Sequence, residues 1–157
     1  NTHLENNLFI FGNRPSVADF SIAAQLSQML MDPTPGAWLR EHAPFVTAWC
    51  EFMDAPKAGD GFKSLEELKP TLLPIFSEEL SKTYLPWAKA TLEADIAKED
   101  RVSVKLDRKA FEQVTQRYTA TSFKSVQKAV RRLSDNEALT DFLKTAGADV
   151  YFQNPNK

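Results

Sequence analysis

The sequence holds one cysteine, Cys50, and two histidines, His3 and His42. A single cysteine excludes an intrachain disulfide and any metal site built from several thiolates. The histidines show no HExxH or other ligand spacing, so no metal centre is expected and both read as surface residues. A surplus of one charge sign is also missing. Nineteen Lys+Arg stand against 21 Asp+Glu, a net charge of -2, which argues against a nucleic-acid partner. Long hydrophobic runs are absent. Leu8 to Phe11 and Leu72 to Phe76 are far short of a membrane span, and the second contains Pro74. Residues 1 to 7 are polar with no basic segment, so no signal peptide is expected. The chain does not open with Met and starts close to an apolar run, which reads as a fragment. A cytoplasmic location, with no membrane association, is the resulting expectation.

What is present is an ordinary globular balance: 157 residues, 43% hydrophobic and 25% charged. A chain of this length buries roughly 70% of its unfolded surface, enough for one domain or a compact domain with an extension.

The first helix start is Arg14-Pro15-Ser16-Val17-Ala18-Asp19-Phe20, after a Gly12-Asn13 turn. Ser16 suits the N-cap, its hydroxyl accepting the Asp19 N–H, and Asp19 at the third helical position can reach back to the Ser16 N–H. The helix runs to about Met31 and stops at Asp32-Pro33-Thr34-Pro35-Gly36. Its apolar residues cover more than one face and no charge falls between Asp19 and Asp32, a pattern that predicts neighbours on several sides. Trp38 to Glu41 is expected to form a short turn. Pro44 opens a second helix through Trp49 and Met53, ending before Pro56.

Ser64-Leu65-Glu66-Glu67 is another capping box, with Pro70 and Pro74 expected to break its first turn. A long helix from about Pro74 to Lys98 places Phe76, Leu80, Tyr84, Trp87 or Ala88, and Leu92 on one stripe, with a kink at Pro86. Val102 to Leu106 alternates with period two, Asp107-Arg108 reads as a turn, and Ala110 to Val114 as the return strand. Phe123, Val126, Val130 and Leu133 mark a helix from about Tyr118. Ser134-Asp135-Asn136-Glu137 reads as a third capping box, opening a last helix closed by Gly147. Residues 154 to 157 read as a loose tail. The fold class is therefore all-α in the main, with a small hairpin near residues 102–114.

The segment Leu8-Phe9-Ile10-Phe11-Gly12-Asn13-Arg14-Pro15-Ser16-Val17-Ala18-Asp19-Phe20 resembles the signature of the glutathione S-transferase C-terminal domain. There an apolar run, a Gly, a turn, then Ser or Thr with Asp three residues on open a helix through the centre of an all-helical bundle. Ser16 and Asp19 match that box, and the Ala43-Pro44-Phe45-Val46-Thr47-Ala48-Trp49 helix is similar to a bacterial-type branch. The resemblance implies a partial helical core over 1–78 and a C-terminal extension over 79–157. It implies a parent that conjugates glutathione, its co-substrate, to an electrophile, and a dimer. The thioredoxin-like domain that binds glutathione is the implied missing partner, since no position here matches it. Exposure of part of the Ser16–Met31 helix predicts self-association.

No residue of the chain is assigned a catalytic, cofactor or metal role. Cys50 beside Glu51 lacks the cationic neighbour that activates a thiol and reads as a packed side chain. Asp19 is explained by capping. Lys124, Lys128, Arg131 and Arg132 read as a solvated face rather than a nucleic-acid site. Tyr84 and Trp87, beside Pro86, are the candidates for a hydrophobic substrate pocket. The chain alone is expected to be inactive. The alternative is a non-catalytic helical interaction or structural module.

Overall fold

The computed structural model describes residues 1–153, so the expected tail at 154–157 lies outside the described residues. The chain is mainly helical with one two-stranded antiparallel sheet among those residues. It divides into two compact units, Asn1–Thr71 and a second from Leu72 onward, where the sequence reading divides after residue 78.

In the first unit, α1 (Thr2–Glu5) precedes the turn that carries Phe9 to Gly12. Gly12 sits at φ +114, and a Cβ there would lie 2.8 Å from the Lys63 backbone nitrogen, so only glycine fits. α2 (Val17–Met31) follows as expected. Asp32 ends α2 and caps α3 (Pro33–His42), its carboxylate accepting the Thr34 N–H at 3.0 Å. The Asp32–Gly36 stretch is therefore a helix start, where the sequence suggested a breaker and a short turn at Trp38–Glu41. Pro33 and Pro35 lie in the first turn, where the N–H they lack has no intrahelical partner to lose. α4 (Pro44–Phe52) completes the layer. Phe9, Ala23, Trp49, Cys50 and Met53 form the buried core of this unit, with the Phe9 and Phe52 rings 5.5 Å apart. α2 buries Asp19 and Ala23 and packs the half-buried Leu26 and Leu30 against this core. Val17, Phe20, Ile22, Met29 and Met31 are exposed.

α5 (Leu65–Pro74) runs through Pro70 rather than breaking there. The carbonyls that lose a donor to Pro70 and Pro74 belong to Glu66 and Pro70, both exposed, so water can replace the missing bonds. A π-helical stretch, Ile75–Tyr84, follows directly, then α6 (Leu85–Ala97). Each π turn takes in an extra residue, so the 3.6-residue stripe drawn from Phe76 to Leu92 does not carry through. The residues buried from α6 are Leu85, Ala88, Thr91 and Ala94, and none of Ile75–Tyr84 is fully buried.

β1 (Arg101–Leu106) and β2 (Lys109–Val114) pair in register with Leu106 opposite Lys109, as the alternation predicted. Asp107 (φ +44) and Arg108 (φ +69) are both left-handed, which a two-residue primed turn requires. α7 (Arg117–Arg132) packs on α6 and buries Ala120, Phe123 and Gln127. Val126 and Leu133, assigned to the apolar stripe from sequence, are exposed instead. The buried face is centred one position away, because the Gln127 amide is drawn inward to donate to the Tyr151 carbonyl at 2.7 Å. α8 (Glu137–Thr145) ends in a Schellman turn: Gly147 N–H bonds Lys144 O (3.0 Å) and Ala148 N–H bonds Leu143 O (2.8 Å), with Gly147 at φ +67. A 3-10 turn, Asp149–Tyr151, closes the described chain.

Candidate functional site

The most enclosed carboxylate of the molecule is Asp19, with 0% of its surface exposed. One oxygen, Oδ1, accepts the Ile10 N–H at 2.7 Å. The other, Oδ2, accepts the Ser16 N–H at 2.8 Å and the Ser16 hydroxyl at 2.6 Å. Ser16 and Asp19 face each other as a capping box. The short bonds nevertheless all end on the carboxylate, and the Asp19 N–H bonds the Ser16 carbonyl at 3.1 Å. Asp19 thus ties the Phe9–Gly12 turn to the start of α2. Both its oxygens are engaged by structural donors and the side chain has no exposed surface, so Asp19 presents no oxygen to a substrate in solution.

The remaining candidates for chemistry in the first unit are equally occupied. Burial, then Asp54 and Glu51, push the Cys50 thiol above its ordinary pKa, the opposite of an activated nucleophile. His3, expected on the surface, is buried. Its Nε2 lies 2.8 Å from the Ile10 carbonyl and its Nδ1 2.7 Å from the Thr71 hydroxyl. The carbonyl can only accept, so Nε2 carries a proton, and the two partners account for its place in the interior. His42 is exposed as expected and stacks on Trp38 at 4.7 Å. Among the described residues no group of three or more His, Cys, Asp or Glu is placed to hold a metal ion. No described helix is long and apolar enough to cross a membrane.

In the second unit the Tyr84 and Trp87 rings lie 5.9 Å apart, with Tyr84 exposed and Trp87 half-buried. The Trp87 indole N–H is buried without a hydrogen-bond partner, and so is the hydroxyl of Thr91, one turn further along α6. Unsatisfied buried donors are uncommon and mark places where a polar atom is wanted.

Just before them, Pro86 lacks the N–H that would serve a carbonyl of the preceding turn. The Leu85 N–H bonds Leu80 O in the π pattern, so Pro86 would serve Ser81 in that pattern or Lys82 in an α turn. The Tyr151 hydroxyl bonds Ser81 O at 3.3 Å, and the Asp107 N–H at the hairpin tip bonds Lys82 O at 3.1 Å. The Ser81 hydroxyl in turn donates to Ala146 O at 2.8 Å. The hairpin and the C-terminal turn are thereby fastened to the site of the proline. Burial raises the Tyr151 phenol pKa, in keeping with a donor held in the interior.

No family model, curated protein or solved structure matches the chain. Function must therefore be read from the side chains. A groove of about 520 Å3 lies in the second unit between α7, α8 and the Asp149–Tyr151 turn, and neither Tyr84 nor Trp87 lines it. The sequence did not indicate it. Its walls come from the ends of α7 and α8 and from Phe152, residues that carry no shared motif.

Proposed function

We propose that residues 1–157 form the helical part of a glutathione S-transferase-like protein and do not themselves activate a thiol. The observation that carries this reading is the Ser16–Asp19 corner. A buried carboxylate there joins an apolar turn to a helix start, in the residue order that the family signature uses. In this reading the parent conjugates glutathione to an electrophile with a thioredoxin-like domain, and Tyr84 and Trp87 contribute an apolar wall with one free N–H to the electrophile's pocket. The test is the reading frame upstream of Asn1. A thioredoxin-like segment with a cis-proline loop and an acidic-Ser pair supports the transferase; a frame without one rejects it. The chain alone, assayed with an aryl halide at high glutathione, should give only the uncatalysed rate. A rate that survives repurification and disappears on substitution within residues 1–157 rejects the assignment of this chain as non-catalytic.

A second reading, an interaction module, is favoured by the outer face of α2. Val17 and Met31 are 82% and 85% exposed, and no charged residue lies between Asp19 and Asp32. Exposed apolar patches of this kind mark contact surfaces. In this reading α2 mediates self-association. Light scattering across a concentration series should show oligomers that Met31→Lys with Phe20→Lys returns to monomers.

A further inference from the structure

We propose that the groove between α7, α8 and the Asp149–Tyr151 turn is a binding site for a small amphipathic carboxylate, an acid with an apolar tail. The proposal is independent of the transferase reading. At about 520 Å3 the groove falls in the size range of small-molecule sites. Its apolar lining is Val130 and Leu133 from α7 and its end, Leu139 and Leu143 from α8, and Phe152. An alkyl or aryl body is the occupant such a lining favours.

The charge at its rim chooses the head group. Arg131 and Lys144 line the groove from opposite helices, against one carboxylate, Asp149. Asp149 already accepts from the Gln153 amide at 3.2 Å. Arg131 is held in place by donating to the Phe152 carbonyl at 3.0 Å and the Gln153 carbonyl at 2.8 Å, both neutral acceptors. Among the described residues neither Arg131 nor Lys144 is in an ion pair. α7 also carries Lys124, Lys128 and Arg132, while α8 carries the acidic Glu137 and Asp141. In the groove's own lining the two cations outnumber the one carboxylate, a balance that an anionic head group completes. Ser134 adds a hydroxyl to the same lining, able to donate to a carboxylate oxygen, whereas the Thr140 hydroxyl already donates to the Asn136 carbonyl at 3.0 Å.

The full chain titrated with octanoate, octanol and octylamine, followed by backbone amide NMR, tests this. Octanoate should bind at least fivefold more tightly than octanol, with octylamine weakest, and the shifted amides should cluster at residues 130–144 and 149–153. Lys144→Ala should weaken octanoate severalfold and leave octanol unchanged. Thr140→Trp, which fills the groove, should abolish both while the melting temperature stays within a few degrees. Arg131 is left intact because its bonds hold the C-terminal turn. Deleting residues 154–157 should not alter octanoate affinity. Equal binding of octanoate and octanol, shifts centred elsewhere, no effect of Lys144→Ala, or no binding at all would each overturn the proposal. A large gain in affinity on deleting residues 154–157 would overturn it too, since that segment would then be the groove's own occupant.

Discussion

Two corners of the first unit are built from the same four-residue pattern and end in different environments. At Ser16–Asp19 the carboxylate accepts the Ser16 N–H at 2.8 Å and the hydroxyl at 2.6 Å. At Ser64–Glu67 the corresponding bonds are 2.8 Å and 2.6 Å. These two bonds are the same, although the acidic residue's own N–H returns to the serine hydroxyl at Ser64, at 3.3 Å, and to the serine carbonyl at Ser16, at 3.1 Å. The difference is the third donor: Ile10 N–H reaches across to Asp19, which is fully buried, whereas Glu67 is exposed to water. A capping box is thus a local device whose energetic weight is set by what else converges on it. At Ser16 it fastens a turn to a helix, and at Ser64 it only starts one.

The largest expected effect breaks the buried corner. Asp19→Ala removes the acceptor for three donors, two of them backbone N–H groups. It should lower stability by ~1–3 kcal/mol, the cost of leaving buried donors unpaired. A urea unfolding midpoint unchanged from wild type would show that the corner is not formed. Ser16→Ala should cost less, because its N–H still reaches the carboxylate.

The next effect lies at the third Ser-x-x-acid quartet, Ser134–Glu137, where the structure departs from the sequence reading. Asn136, not Ser134, caps α8, accepting the Leu139 N–H at 2.9 Å. Asn136→Ala should therefore cost ~1 kcal/mol, read as a lowered midpoint with an unchanged denaturant slope.

Glu67 sharpens the comparison through pH. The Ser64 hydroxyl, then the Ser64 N–H, hold its carboxyl below the ordinary value of 4.5. A carboxyl whose folded pKa is lowered stabilises the fold above its unfolded value, and loses that contribution as pH falls through the folded one. The start of α5 should loosen only in acid, below the usual carboxylate range. A carbon-detected titration should place Glu67 below 4.5 and return it toward 4.5 in Ser64→Ala. Because the group is exposed, its effect on global stability should be smaller than that of Asp19.

Local signals were legible in the sequence where they rest on a few adjacent residues. The α2 start, the hairpin with its Asp107–Arg108 turn and the Gly147 stop all depend on contiguous residues. What was hidden depends on distant partners. His3 is interior because Ile10 and Thr71 meet it, and the π stretch before Pro86 has carbonyls served from residues 107 and 151. The α7 stripe shifted because Gln127 found the Tyr151 carbonyl. Periodicity weighs side chains by hydrophobicity and cannot see such an acceptor. The groove was illegible for the same reason: Arg131 read as part of a solvated face and Lys144 carried no signal until the C-terminal turn is placed beside both.

The smallest expected effect is at Ser134. Its quartet reads as a capping box, yet its N–H bonds Arg131 O at 3.3 Å in the turn that ends α7, and its carbonyl accepts the Thr140 hydroxyl at 3.4 Å. Both bonds use the backbone on the Ser134 side, so removing the hydroxyl leaves them in place. The helix begins two residues later, where the Asn136 carbonyl also accepts Thr140 N–H at 3.0 Å. Ser134→Ala should accordingly shift stability by no more than about 0.5 kcal/mol in either direction, against the larger loss for Asn136→Ala measured in the same urea series. Equal losses in the two variants would mean that Ser134 shares the cap in solution. The third quartet would then belong with the other two, and sequence pattern alone would have been sufficient to locate all three.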